Sequence, residues 1–237
     1  IACEISLEAL QGKQGLRRSL IQSLDNVTKV DDISADSVVS WASFLSVASQ
    51  NPYEVTALDS IHAQALAQKI ISAARRESFK DLDSLVGVLQ SMNAMFSVAE
   101  TNYNPSNLES GVVTEFNNNT AGNILQVVSA FGAMVGESMV AGQNQSVHIY
   151  DNFRLSSVVT EIIVPDEAIA RATGTSSVSV NVSTPLNAME QSRGERGAWV
   201  SMQVSPSAGR VAGFLTTNMV VIKGKAYAAN VDALLSN

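Results

Sequence analysis

The chain has 237 residues, 46% of them hydrophobic and 16% charged, with a net charge of −7. That is ample apolar material for one large domain or two small ones. The acidic balance and the lack of any Lys/Arg run argue against a nucleic-acid or anionic-membrane surface, and apolar stretches such as Met219–Ile222 are far too short to span a bilayer. No signal peptide is visible and the chain begins at Ile1, so it reads as a piece of a longer polypeptide with any targeting segment outside it.

Residues 1–142 read as helix after helix. The first helix is expected over about residues 4–26, with Leu16, Leu20, Leu24 and Val27 as its inward stripe and a weak point at Gly12 and Gly15. Ser34 is placed to cap a second helix, with Asp36 in its first turn and Val38, Ala42, Leu45 and Ala48 inward. Asn51-Pro52-Tyr53-Glu54 carries the marks of a third helix start: Asn51 as cap, Pro52 in first position, Glu54 bonding back to the Asn51 amide. That helix is read through Leu58, Ile61, Ala65, Ile70 and Ala73 to Arg75-Arg76.

Ser78 and Asp81 repeat the capping logic for a fourth helix, whose stripe is Leu82, Leu85, Val86, Leu89, Met92, Phe96 and Ala99. Asn104-Pro105 opens a further helix or turn, and the polar run Asn117–Thr120 is a candidate interruption. Ile124, Val127, Val128, Phe131, Met134, Val135 and Met139 then make one more apolar face. Short links between these elements predict antiparallel neighbours in a bundle.

A hinge follows at Ala141–Gln145. From residue 146 to 237 the pattern changes to short alternating segments: Val147–Tyr150, Ser157–Val164, Ser177–Ser183, Trp199–Ser205, Val211–Thr217 and Met219–Lys223. Val178, Val180 and Val182 alternate strictly with serine and asparagine, the pattern of a half-buried strand. Asp166–Ala172 reads as a short helical turn. The fold class expected is therefore α+β, with an antiparallel helical bundle at 1–142 followed by an antiparallel β-sandwich at 146–237.

Four glycosylation sequons are present, at Asn26, Asn118, Asn144 and Asn181. Chance alone supplies about three in a chain with 17 asparagines, so position carries the reading. Asn26 follows the first helix, Asn118 and Asn144 sit in polar segments, and Asn181 lies on the serine face of its strand. Cys3 is the only cysteine; it is read as a buried thiol or, in an extracellular setting, as one half of a bridge to a residue outside this sequence.

No catalytic, cofactor or metal constellation stands out. His62 reads as a structural residue of a helix and His148 as part of an edge strand without an obvious partner. Asp31-Asp32 reads as a solvated acidic pair rather than a calcium site. Gly194-Glu195-Arg196-Gly197 reads as a polar loop tip.

The order of bundle, Gly/Asn hinge and sandwich, with Phe153-Arg154-Leu155-Ser156-Ser157 leading to Ile162-Ile163-Val164-Pro165, resembles the GAIN domain of adhesion receptors and of polycystin-like proteins with a REJ–GAIN arrangement. The resemblance is topological, spread over most of the chain, and its motifs are weak. It implies a non-enzymatic module of a large extracellular or cell-surface protein. Such a module positions or mechanically couples adhesive and membrane parts, with other domains of the same polypeptide, extracellular proteins and N-linked glycans as partners. A structural subunit of an extracellular fibre is the alternative, and a hydrolase a remote one. The family's proteolysis-site motif is not visible; its nearest counterpart, Phe214-Leu215-Thr216, has phenylalanine where the family has its histidine base.

Overall fold

The computed structural model describes residues 7–101, 111–163, 178–183, 199–204, 212–222 and 225–236. Five helices come first: α1 (Leu7–Val30), α2 (Ala35–Ser49), α3 (Ala57–Arg76), α4 (Val86–Thr101) and α5 (Gly111–Ser138). Strands follow: β1 (Ser146–Ile149), β2 (Phe153–Ile163), β3 (Val178–Ser183), β4 (Trp199–Val204), β5 (Ala212–Ile222) and β6 (Lys225–Ser236). The chain divides into two compact units, residues 1–128 and 129–237, and the division falls inside α5.

In the first unit, side-chain contacts fix the helix directions. Asp31 at the end of α1 takes the Trp41 indole N–H of α2 at 3.2 Å, while Arg17 reaches the Val47 carbonyl at 2.7 Å, so α1 and α2 are antiparallel. Ser46 meets Gln90 and Ser49 meets Ser91, so α2 and α4 run parallel, as expected for alternate members of an up-down bundle. α2 is central, with Val38, Ala42, Leu45 and Ala48 fully buried. Ser34 caps it as expected, its hydroxyl accepting from the Ser37 amide at 3.2 Å.

Several local expectations are corrected. Gly12 and Gly15 do not break α1, which runs unbroken from Leu7 to Val30. Its buried side chains are Ile21, Leu24 and Thr28, whereas Leu16 and Val27 are exposed. Asn51-Pro52 starts a 3-10 turn (Pro52–Glu54), and α3 begins later, capped by Thr56, whose hydroxyl accepts from the Asp59 amide at 3.3 Å. Ser78 caps nothing at an N-terminus. It holds a left-handed φ of 50° after α3, where Phe79 N–H bonds Ala74 O and Ser78 N–H bonds Arg75 O, the double bond of a Schellman end. A second 3-10 turn (Leu82–Leu85) leads into α4. The Asn117–Thr120 run does not interrupt α5. The expectations at Asn104-Pro105, Asp166–Ala172 and Gly194–Gly197 lie outside the described residues.

The β-sandwich expected for 146–237 is overturned, and with it the α+β fold class; helix dominates the fold. The strands form a four-stranded antiparallel sheet, order β1-β2-β5-β6, and a separate ladder in which β3 and β4 pair only with each other. The reason is physical. Alternation in a strand announces an apolar face but not what covers it. Here a helix covers it: the Phe131 ring of α5 meets the His148 ring of β1 edge-on at 5.4 Å, and Ser157 of β2 donates to the Gly132 carbonyl at 3.4 Å. β2 is buried at every residue from Phe153 to Ser157, so both its faces are covered there. Its register with β5 sets buried Leu155 opposite buried Val220.

Candidate functional site

The four sequon asparagines fall in different settings. Asn26 lies in the last turns of α1, exposed, but the threonine of its sequon is buried. Thr28 is 6% exposed, donates to the Asp25 carbonyl at 2.9 Å and accepts from Lys69 Nζ at 2.9 Å. Asn144 is exposed in the link between α5 and β1, just after Gly142, whose φ of +81° makes the turn. This is the loop setting that suits a glycan acceptor. Asn118 belongs to α5 and Asn181 to β3, where it stands opposite Ser201; their side chains, and Cys3, lie outside the described residues.

One cleft of about 400 Å³ opens between α1 and α3. Contacts along the two helices, Arg18 to Asp59 and Thr28 to Lys69, show that they run parallel. Ile21 and Leu66, both buried, form the apolar floor, and Ala65 leaves room for it because its side chain is short. Asp25, His62 and Lys69 stand on the rim. Lys69 is tied to Thr28 and Asp25 accepts from Lys29 Nζ at 2.5 Å, so two of the rim charges are already held within the fold. His62 is exposed. The arrangement offers a partly apolar surface with mixed charge at its edge.

A cluster of ion pairs lies earlier along α1. Glu54, in the 3-10 turn before α3, is buried and accepts from Arg17 Nε at 3.0 Å and Nη2 at 2.8 Å, with Lys13 Nζ at 3.1 Å. The Arg17 hydrogen bonds above all, with help from Lys13, hold the Glu54 carboxyl below its ordinary value of 4.5 against the opposing effect of desolvation. One turn on, buried Asp59 accepts from Arg18 Nε at 3.1 Å and from the Thr56 hydroxyl at 2.5 Å. Three cations of one helix thus fasten two acids some forty residues away. Sequence reading missed both pairs. The available signal was the ridge Lys13, Arg17, Arg18 at helical spacing, which needs acidic partners if it faces inward.

Other candidates resolve into structural roles. Asp31 accepts from Trp41, which ties the α1–α2 turn to α2. His148 packs against Phe131. Among the described residues no group of three or more His, Cys, Asp or Glu is placed to hold a metal ion, and no helix is long and apolar enough to cross a membrane. No protein-family model matches the chain, and no curated protein matches it.

Proposed function

We propose that this chain is a non-enzymatic structural module of an extracellular or cell-surface protein, one that positions or mechanically couples neighbouring parts. The observation that carries the reading is the pair of ionic clasps, Arg17–Glu54–Lys13 and Arg18–Asp59–Thr56. They join elements 37 and 41 residues apart across the bundle. The two carboxylates are buried while Lys13 and Arg18 stay about half exposed, so the cost of breaking a clasp falls on the acid left behind, which suits a unit that must keep its helices in place under load. The extracellular assignment draws its support from the exposed loop sequon at Asn144. The reading stands without the GAIN resemblance, whose sandwich half the strands do not form.

Two measurements test it. Glycopeptide analysis of the protein from its native source is expected to find sugar on Asn144; four bare sequons would remove the extracellular assignment. Single-molecule pulling on the helical unit is expected to show a lower unfolding force for Arg17→Ala and Arg18→Ala than for the parent. An unchanged force in both variants would remove the mechanical role.

A further inference from the structure

α1 carries two apolar stripes. One faces the core through Ile21 and Leu24. The other, Leu16, Leu20, Val27 and Val30, advances in steps of four and three through Ser23 and turns outward at three of its four residues: Leu16 is 60% exposed, Val27 45% and Val30 85%, with Leu20 half-buried between them. That spacing is the seam of a coiled coil. α2 lies alongside and adds Phe44, 39% exposed, and Val47, 60% exposed. The bond from Arg17 to the Val47 carbonyl brings the Leu16 end of α1 to the Val47 end of α2. The polar residues interleaved on this face are Ser19, Ser23, Ser40 and Ser43, all exposed. α2 carries one charge, Asp36, in its 15 residues. A helix this apolar on its outer side is normally covered, and a contiguous apolar surface marks an interaction site.

We propose that a second copy of the chain covers this face, α1 packing antiparallel against α1 across a two-fold axis at Ser23. The stripe is self-complementary about that residue: Leu16 meets the partner's Val30, and Leu20 meets the partner's Val27. Charge selects the antiparallel sense. The first half of α1 is basic, with Lys13, Arg17 and Arg18 against Glu8, and its end and the following turn are acidic, with Asp25, Asp31 and Asp32 against Lys29. Arg17, Arg18 and Lys29 are matched by Glu54, Asp59 and Asp25 in the fold; Lys13 shares the single carboxylate of Glu54 with Arg17 and is half exposed, so the cross-pairing falls to this surplus charge and the exposed Asp32. Antiparallel docking sets Lys13 against the partner's residues 32–33; parallel docking would set like charge on like. The same patch used on both copies closes the assembly at two. The pairing does not depend on the compartment. Asn26 adjoins Val27 at the edge of the seam, so a sugar there would stand between the copies.

The test uses the whole chain made in bacteria, free of glycan. Sedimentation equilibrium is expected to show a concentration-dependent monomer–dimer equilibrium that weakens as salt is raised. Val27→Glu is expected to weaken association by at least about tenfold with an unchanged circular dichroism spectrum, and Asp32→Lys to weaken it as well. In a Cys3→Ser background, Ser23→Cys is expected to yield a disulfide-linked dimer under mild oxidation, whereas Leu16→Cys is not. A chain that stays monomeric at every concentration overturns the proposal and leaves the face to a different protein. A dimer that ignores Val27→Glu, or that cross-links through Leu16→Cys as readily as through Ser23→Cys, overturns the antiparallel seam.

Discussion

Arg17 of α1 and Glu54 of the turn before α3 are 37 residues apart in the chain and joined by two guanidinium hydrogen bonds to one carboxylate oxygen. Arg17 also donates to the Val47 carbonyl, so one side chain ties α1 to the end of α2 and to the start of the next element. Truncating it strands a buried carboxylate with Lys13 alone. Arg17→Ala is therefore expected to destabilise the helical unit by about 1–3 kcal/mol in denaturant unfolding. The pH dependence follows from the lowered Glu54 carboxyl. A depressed acid stabilises the fold above its unfolded value and loses that contribution as pH falls through the folded one. Stability should decline on acidification below about pH 4.5, and Glu54→Gln should flatten that decline. An acid limb identical in parent and Glu54→Gln would show that the clasp does not set it.

Glycines separate into two kinds, and substitution should tell them apart. A Cβ on Gly87 would stand 2.8 Å from the Ala42 carbonyl oxygen and 3.2 Å from Ser46 Cβ, where α4 crosses α2. Backbone cannot yield as a flexible side chain does, so Gly87→Ala is expected to push the helices apart and cost about 1–3 kcal/mol. Around Gly12 and Gly15 of α1 nothing lies within 4 Å. There, alanine removes freedom only from the unfolded chain, and each substitution should stabilise by about 0.5–1 kcal/mol. Thermal melts of the three variants check both signs.

What the sequence made legible follows from how local each signal is. The α2 stripe and the Ser34 cap were readable because a helix with one apolar face and an adjacent hydroxyl needs no outside information. α1 misled because it has two apolar stripes, and the inward one is interrupted by Arg17, whose partner lies 37 residues away. In α3 the buried face consists of Ala63, Ala67, Ala73 and Ala74 with Leu66, Ile70, Ile71 and the polar Asp59, Ser60 and Gln64. Of the expected stripe, Ile70 and Ala73 are buried, whereas Leu58, Ile61 and Ala65 are exposed, because small and polar residues fill the inward face of the first turns. The sandwich was misread because alternation does not distinguish a covering sheet from α5. The cleft and the clasps exist only once α1 and α3 lie side by side.

Tyr150 gives a second pH signature, on the alkaline side. It precedes the two-residue turn Asp151-Asn152 of the β1–β2 hairpin, its N–H bonds the Phe153 carbonyl at 2.9 Å, and its ring packs on Phe153 at 5.0 Å. Burial pushes its phenol from 10.0 up to about 12. A raised acid favours the neutral folded form, so its contribution is intact below the unfolded value and is lost as pH climbs from 10 to about 12. Ultraviolet titration of the phenolate should show a late phase that vanishes in Tyr150→Phe, whose own stability should fall less over that interval. If the late phase survives the substitution, it belongs to another tyrosine.

The last expectation is that the chain stays whole at Leu215-Thr216. A threonine hydroxyl attacks a preceding carbonyl only when a base takes its proton, and the residue ahead of the pair is Phe214, which accepts none. β5 is an interior strand, with Leu215 opposite Thr160 on one side and Ala233 on the other, so this peptide is held in the ladder from both edges. His148 does not reach it. Its row in the sheet runs through Leu155 to Val220, five residues along β5 from Leu215 and two strands away. At about 3.3 Å per residue and 4.8 Å per strand, the separation is roughly 19 Å. Purified protein should therefore run as a single band on a denaturing gel, before and after prolonged incubation at neutral pH. Two bands, the smaller beginning at Thr216, would mean that the fold supplies a base from outside that row.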